Sequence, residues 1–306
     1  GLVRIAISED GKTAAIVEVN SETDFVAKNE EFVTFVEELA KLALSAESDD
    51  IEAFKAMSFG EATVQDELNN KIAKIGENMS VRRIAKVSGD VVSSYIHGGG
   101  RIGVMVVGNG EGTDEIKAAL TNIAMQVAAM SPQYVKREDI SAEELEQLRR
   151  EVEGSALNDP FTLPKPILNG LLDKAVDGVW DQEDIDILAE KRADKSFNFN
   201  YLPNFLSEGA KAKLAALAVA DRDAIVENKI FGGLLEGRIS KQLKEICLMD
   251  QVYVRAEDGK QTVAKYLESV SKDLSLANVV RFAVGEGIEK KEEDFAAEVA
   301  AQMAGN

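Results

Sequence analysis

The chain opens with two β-rich runs, 3–8 and 13–19, separated by Glu9-Asp10-Gly11-Lys12. An Asp-Gly pair between such runs marks a tight hairpin. The period then changes. Asn20-Ser21-Glu22-Thr23-Asp24 opens a helix whose apolar stripe, Phe25, Phe32, Val36, Leu39 and Ala43, has spacings of 7, 4, 3 and 4. Residues 45–50 break it. Helical stretches over 51–57 and 61–75 follow, Gly76-Glu77-Asn78 interrupts, and 81–87 reads as a strand. A second hairpin over 91–96 and 101–107 turns through His97-Gly98-Gly99-Gly100, and 108–112 leads into a helix over 113–130.

Hairpin, polar turn and long helix therefore occur twice, over 3–44 and 91–130. This predicts an α+β fold with two similar subdomains of antiparallel strands packed with helices, a helical insertion and a C-terminal helix. The first subdomain is placed at 1–90 and the second at 91–133 with 229–286. Residues 134–228 change character: Pro160, Pro164, Pro166 and Pro203 lie here, as does the sole tryptophan, Trp180. They read as a mostly helical insertion. Beyond it the pattern predicts helices over 229–245 and 261–271, a partly extended 246–255 and a strand over 279–284. A C-terminal module at 287–306 carries a short helix over 292–303.

Composition narrows the function. Against 35 Lys and Arg stand 54 Asp and Glu, a net charge of −19 over 306 residues. That field repels polyphosphates and argues against nucleic-acid binding. One cysteine leaves no intramolecular disulfide or Cys-based zinc site, and one histidine leaves no His-pair metal motif. No apolar run nears the roughly 20 residues that span a bilayer, and the strand-like start is not a signal peptide. A soluble, reduced, cytoplasmic protein is expected, and the missing initial Met suggests that upstream residues were cut away or not included.

Few motifs carry chemistry. Gly98-Gly99-Gly100-Arg101-Ile102-Gly103 fits G-x-G-x-x-G in letters, but a dinucleotide fingerprint must open a helix and here a strand follows. Gly108-Asn109-Gly110-Glu111-Gly112 is better placed, yet Glu111, Asp114 and Glu115 would repel a phosphate. Cys247 among Ile246, Leu248 and Met249 reads as a buried thiol. Asp181, Glu183, Asp184 and Asp186 beside Trp180 lack the Gly and ligand register of a calcium loop and read as an acidic helix N-terminus. No catalytic constellation emerges. Ser21-Glu22-Thr23-Asp24 fits a capping box, with Ser21 and Asp24 on the orphan amides. Phe25 then either continues the core stripe or projects with Asp24 as an acidic-aromatic wedge toward another protein. Periodicity does not choose between these.

The residues around that motif, Val17-Glu18-Val19-Asn20-Ser21-Glu22-Thr23-Asp24-Phe25-Val26-Ala27-Lys28, resemble the signature of bacterial elongation factor Ts. Further blocks resemble the family in the same order. They are Lys74-Ile75-Gly76-Glu77-Asn78 with Arg82-Arg83, Tyr95-Ile96-His97-Gly98 with Arg101-Ile102-Gly103-Val104, and Glu236-Gly237-Arg238. Arg281-Phe282 with Val284-Gly285-Glu286-Gly287-Ile288-Glu289-Lys290 and Asp294-Phe295-Ala296-Ala297-Glu298-Val299 complete the set. The resemblance covers about 1–140 and 226–303. There are three departures. The family's N-terminal ubiquitin-associated-like module is absent, Ser21-Glu22 stand where relatives often carry Cys-Gln, and 134–228 exceeds the usual coiled-coil insertion.

The resemblance implies a guanine nucleotide exchange factor for elongation factor Tu in translation elongation, with no catalytic site or cofactor of its own. Thr23, Asp24, Phe25 and Val26 would contact the partner's GTPase domain and dislocate its Mg²⁺, promoting GDP release. Ile75 would contact the same domain, and His97, Gly98 and Val254 the third domain. The terminal helix would also pack on the GTPase domain. This chain would bind no metal, nucleotide, nucleic acid or membrane. Self-association through the insertion stays open. The competing reading is an acidic, non-catalytic interaction module that binds the GTPase without driving exchange, and a third is an enzyme with a site near Trp180.

Overall fold

The computed structural model describes residues 1–288, so the module expected at 287–306, with its helix and its Asp294-Phe295 block, lies outside the described residues except for Gly287 and Ile288. The chain divides into two compact units, one of Gly1–Ser131 and the chain from Val252 onward, the other of Pro132–Gln251.

The first unit opens with β1 (Leu2–Ile7) and β2 (Thr13–Ser21), a hairpin in register Ile7↔Ala14. Then come α1 (Glu30–Ala43), α2 (Ile51–Lys55), the short strands β3 (Ser58–Phe59) and β4 (Ala62–Thr63), α3 (Val64–Ile75) and β5 (Met79–Ser88). β5 pairs antiparallel with β2, giving a sheet of order β1-β2-β5. β6 (Val91–His97), β7 (Ile102–Asn109) and α4 (Asp114–Met130) repeat the plan. The chain leaves through the second unit's α5 (Ala142–Asn158), α6 (Lys165–Val176), α7 (Gln182–Ala193), α8 (Glu208–Ala220), α9 (Arg222–Val226) and α10 (Lys229–Ile246). It returns as α11 (Val263–Val270) and β8 (Ser275–Ala283). β8 closes a second antiparallel sheet, β6-β7-β8. The α+β fold with two similar antiparallel halves is as expected.

β2 explains the layering. Ala15, Val17 and Val19 pack in the core with Phe32, Phe35, Val36 and Leu39 of α1. Ala14 and Ile16 face the other way, onto Val92 of β6 and Met105 and Val107 of β7. With α4 packed on β6 and β7, the order is helix, sheet, sheet, helix. A strand buried on both faces reads as a continuous apolar run, as Ala14-Ala15-Ile16-Val17 does. Glu18 interrupts that run and is fully buried. It accepts from Arg82 Nη1 at 3.1 and 3.2 Å, from Arg83 Nε, and from the Gly285 N–H at 2.8 Å. Arg83 also donates to the Ala283 carbonyl at 3.1 Å and lies 4.0 Å from the Phe282 ring centroid. One carboxylate thus ties the β2–β5 ladder to the end of β8.

The second unit has a core of its own, with Leu157, Leu171, Leu172, Trp180, Leu188, Leu202 and Leu214 buried together. Trp180 Nε1 donates to the Ala210 carbonyl at 3.0 Å. This unit is larger than the sequence boundary of 228. Phe231, Leu235, Ile239 and Leu243, spaced four apart on α10, belong to this core, and α10 packs against α5. α10 therefore groups with the insertion, and the chain from Val252 onward groups with Gly1–Ser131. The physical reason is that the stripe on α10 finds its apolar partner inside the insertion. The insertion's ends are also stitched together: the Gln133 and Tyr134 N–H groups donate to the Ile246 carbonyl at 2.9 and 3.1 Å.

Candidate partner-binding site

The wedge candidate starts where β2 stops. Pairing with β5 continues to Ser21↔Met79, two residues past the expected strand end. The helix is delayed in consequence. Residues 22–25 form a loop, Val26–Lys28 a single 3₁₀ turn, and Asn29 caps α1, its Oδ1 accepting from Glu31 at 2.9 Å and Phe32 at 3.2 Å. The expected capping box over 21–24 is thus corrected to an Asn29 cap. Ser21 Oγ donates to the Thr23 carbonyl at 3.0 Å instead. The apolar stripe is corrected at its first member too. Phe32, Val36, Leu39 and Ala43 are buried, whereas Phe25 is 84% exposed. A helical period extrapolated backwards from Phe32 lands on residues that are not helical.

Exposure does not leave the loop untethered. Val26, next to Phe25, is buried in the core beneath α1. On the other side, Thr23 donates twice to Glu77, from its N–H at 3.1 Å and its Oγ1 at 2.6 Å. Glu77 follows Gly76, which ends α3 at φ +82°, a left-handed conformation that glycine adopts without a Cβ clash. Ile75, the last residue of α3, is half-buried. Lys71 and Lys74 of α3 each reach Glu31 of α1 at 2.9 Å, and their hydrogen bonds hold the Glu31 carboxyl below its usual range. The loop with Asp24 and Phe25 is therefore fixed to the same α1–α3 scaffold that carries Ile75.

A cleft of 670 Å³ beside this loop brings two predicted segments together. Asp24, Ala27 and Lys28 line it with Gly98, Gly99, Arg101 and Val284. The glycine turn closes the β6–β7 hairpin, where His97 pairs with Ile102, and it opens no helix. It is held against β1: the Val3 N–H donates to the Gly100 carbonyl at 2.8 Å and Arg4 Nη1 to the Gly99 carbonyl at 3.0 Å. Gly100 sits at φ +116°, and a Cβ there would lie 3.1 Å from the Val3 carbonyl oxygen, so this close backbone approach favours glycine. His97 is exposed at the rim, with its Nδ1 3.0 Å from the Tyr95 hydroxyl. Asp24, like Phe25, is exposed.

Val254 belongs to another element. Val252 and Val254 are each 48% exposed while Tyr253 between them is buried. The buried Gln126 amide of α4 holds this extended stretch, donating to the Val252 carbonyl at 3.1 Å and accepting from the Val254 N–H at 2.8 Å. Tyr253 stacks on Tyr266 with centroids 4.1 Å apart. Burial, with the Tyr266 hydrogen bond, pushes its phenol up to about 12. A raised phenol pKa means stability that is full below pH ~10 and lost as pH rises toward 12. Ultraviolet titration of the five tyrosines should show one ionising near pH 12, and Tyr253→Phe should remove that late step.

The remaining motifs have structural explanations. The Gly110 N–H donates to Asp90 Oδ2 at 3.2 Å, so a carboxylate occupies the place a phosphate would take. Cys247 is buried, and burial pushes its thiol up. Asp184 is buried and accepts from the Ser207 N–H at 2.9 Å and Oγ at 2.7 Å, while Asp181 stands at the N-terminus of α7. Among the described residues no group of three or more His, Cys, Asp and Glu is arranged to hold a metal ion, and no helix is long and apolar enough to cross a membrane. Sequence reasoning missed the roles of Glu18 and Glu77. A lone carboxylate inside a two-faced apolar strand was the available signal for Glu18. Glu77 stands in the Lys74–Asn78 block, but nothing local signals its bond to Thr23, because the two lie 54 residues apart.

The family profile "Elongation factor TS" matches residues 22–286. Elongation factor Ts of Clostridioides difficile (strain 630) is 37% identical over 308 residues, covering 99% of this chain and 80% of that protein. Elongation factor Ts of Clostridium tetani (strain Massachusetts / E88) is 37% identical over 313 residues, covering 99% and 81%. Elongation factor Ts of Clostridium perfringens (strain 13 / Type A) is 36% identical over 308 residues, covering 98% and 80%. The profile spans most of the chain, and both the exposed loop and the glycine turn fall inside it: the chain belongs to the elongation factor Ts family.

Proposed function

We propose that this protein is a guanine nucleotide exchange factor for elongation factor Tu in translation elongation. It acts by binding, with no covalent chemistry of its own. An exchange factor stabilises a partner conformation that holds nucleotide poorly, and by linkage GDP weakens the factor's binding by the same factor. A 10⁴-fold loss of nucleotide affinity corresponds to about 5.5 kcal/mol of coupling.

The observation that carries the reading is the ring of Phe25, 84% exposed between the anchored residues Thr23 and Val26. An aromatic side chain held this far into solvent contributes nothing to its own core and is suited to insertion into a partner. In this reading Phe25 enters beside a helix of the GTPase domain, and Asp24 meets its polar groups. The displacement disturbs the partner's Mg²⁺ site and phosphate loop. Thr23 and Val26 set the pose. Ile75 contacts the same domain, while His97, Gly98 and Val254 face the partner's third domain.

Stopped-flow release of fluorescent GDP from elongation factor Tu tests this. The chain should accelerate release, and the Asp24→Ala/Phe25→Ala double variant should not. Co-elution with the GTPase without faster release would instead identify a non-catalytic binding module.

A further inference from the structure

We infer that Glu77 is a positioning residue for the exchange reaction: its carboxylate clamps the Thr23 backbone and hydroxyl, fixing the loop that presents Asp24 and Phe25 and locking it to the end of α3 where Ile75 stands. This rests on the reading of that loop as the exchange element.

Residues 22–25 belong to neither a helix nor a strand ladder. Among the described residues, their hydrogen bonds to a distant part of the chain are the two from Thr23 to Glu77. The stereochemistry is specific. Thr23 offers two donors on one residue, and a carboxylate is an acceptor with two oxygens at matching separation. Oε2 takes the N–H at 3.1 Å and Oε1 the hydroxyl at 2.6 Å. Ser21 Oγ then takes up the Thr23 carbonyl at 3.0 Å, so the backbone of Thr23 is held on both sides. Glu77 itself is placed by the left-handed Gly76, and α3 is braced on α1 through Lys71, Lys74 and Glu31. Anchored at Thr23 and at buried Val26, the intervening Asp24 and Phe25 have few conformations left to lose on docking. Pre-organisation of this kind lowers the ordering cost of association.

The effect of removing the clamp differs from that of removing the wedge. A loop that is competent only part of the time lowers apparent affinity by the competent fraction. Glu77→Ala should raise the factor concentration giving half-maximal GDP release about tenfold while preserving the maximal rate. Glu77→Gln should stay within about threefold of wild type, because its amide oxygen can take the Thr23 N–H while its NH₂ donates to Oγ1. In the isolated protein, the Thr23 amide should be protected from hydrogen exchange in wild type and Glu77→Gln, and unprotected in Glu77→Ala. An unchanged half-saturating concentration in Glu77→Ala overturns the inference. So does a Gln variant as impaired as Ala, which would mean that the charge itself meets the partner. Unaltered Thr23 exchange in Glu77→Ala overturns it without reference to the GTPase. Failure of the wedge reading would register separately, as a Phe25→Ala variant with a normal maximal rate.

Discussion

Phe25→Ala should lower the maximal rate of GDP release from elongation factor Tu by about 30-fold while leaving the thermal midpoint of the isolated protein within about 1 °C. The two halves of this expectation have one cause. The ring is 84% exposed, so its removal creates no cavity in this chain, and surface substitutions of that kind stay within about 0.5 kcal/mol. Under the proposed function, its energetic use is in the complex. Central aromatic anchors of interfaces contribute about 2 kcal/mol or more on truncation, which is about 30-fold. In the proposed mechanism the wedge acts on the displaced form of the GTPase, so the loss should fall on the maximal rate more than on the half-saturating concentration. Stopped-flow release across a range of factor concentrations separates the two. A variant that loses stability by several degrees, or that keeps its full rate, contradicts the assignment.

Glu18→Ala should destabilise the first unit by about 3 kcal/mol without altering any residue proposed to face the partner. The carboxylate is fully buried and serves Arg82, Arg83 and the Gly285 N–H together. Truncation takes the carboxylate from two half-buried guanidinium groups, which keep only their contacts with Ala283 and Glu286, and leaves the Gly285 N–H without its acceptor, which costs more than the net value of the pairs. Glu18→Gln keeps the volume but not the charge and should be milder. Urea unfolding followed by far-ultraviolet circular dichroism reads the effect. Trp180 lies in the other unit, so its fluorescence is not the reporter to choose. An Ala variant with an unshifted dichroism midpoint would show that the cluster is dispensable.

How far the sequence reached is visible element by element. The β1–β2 and β6–β7 hairpins, α4 and β8 were all expected, because Asp-Gly and triple-glycine turns and strict periodicity are local signals. The start of α1 was misplaced. Ser21-Glu22-Thr23-Asp24 satisfies a capping pattern, but the β2–β5 ladder extends through Ser21 and wins over it. The stripe on α10 shows that the helix is buried but not against what, and its apolar partner proves to be the insertion.

The site divides in the same way. Residue order alone brought Thr23, Asp24, Phe25, Val26, Ile75, His97, Gly98 and Val254 forward, through their likeness to family blocks. Packing decided that Phe25 faces solvent while Val26 faces the core, a choice periodicity left open. It also decided that the Asp24 loop and the Gly98 turn line one cleft. Periodicity and turn chemistry depend on neighbours within a few residues, so the chain by itself determined its elements and its family. Contacts such as Thr23 with Glu77 or Glu18 with Gly285 join positions 54 and 267 residues apart, and only the folded structure decides them, because their geometry exists only once the sheets have packed.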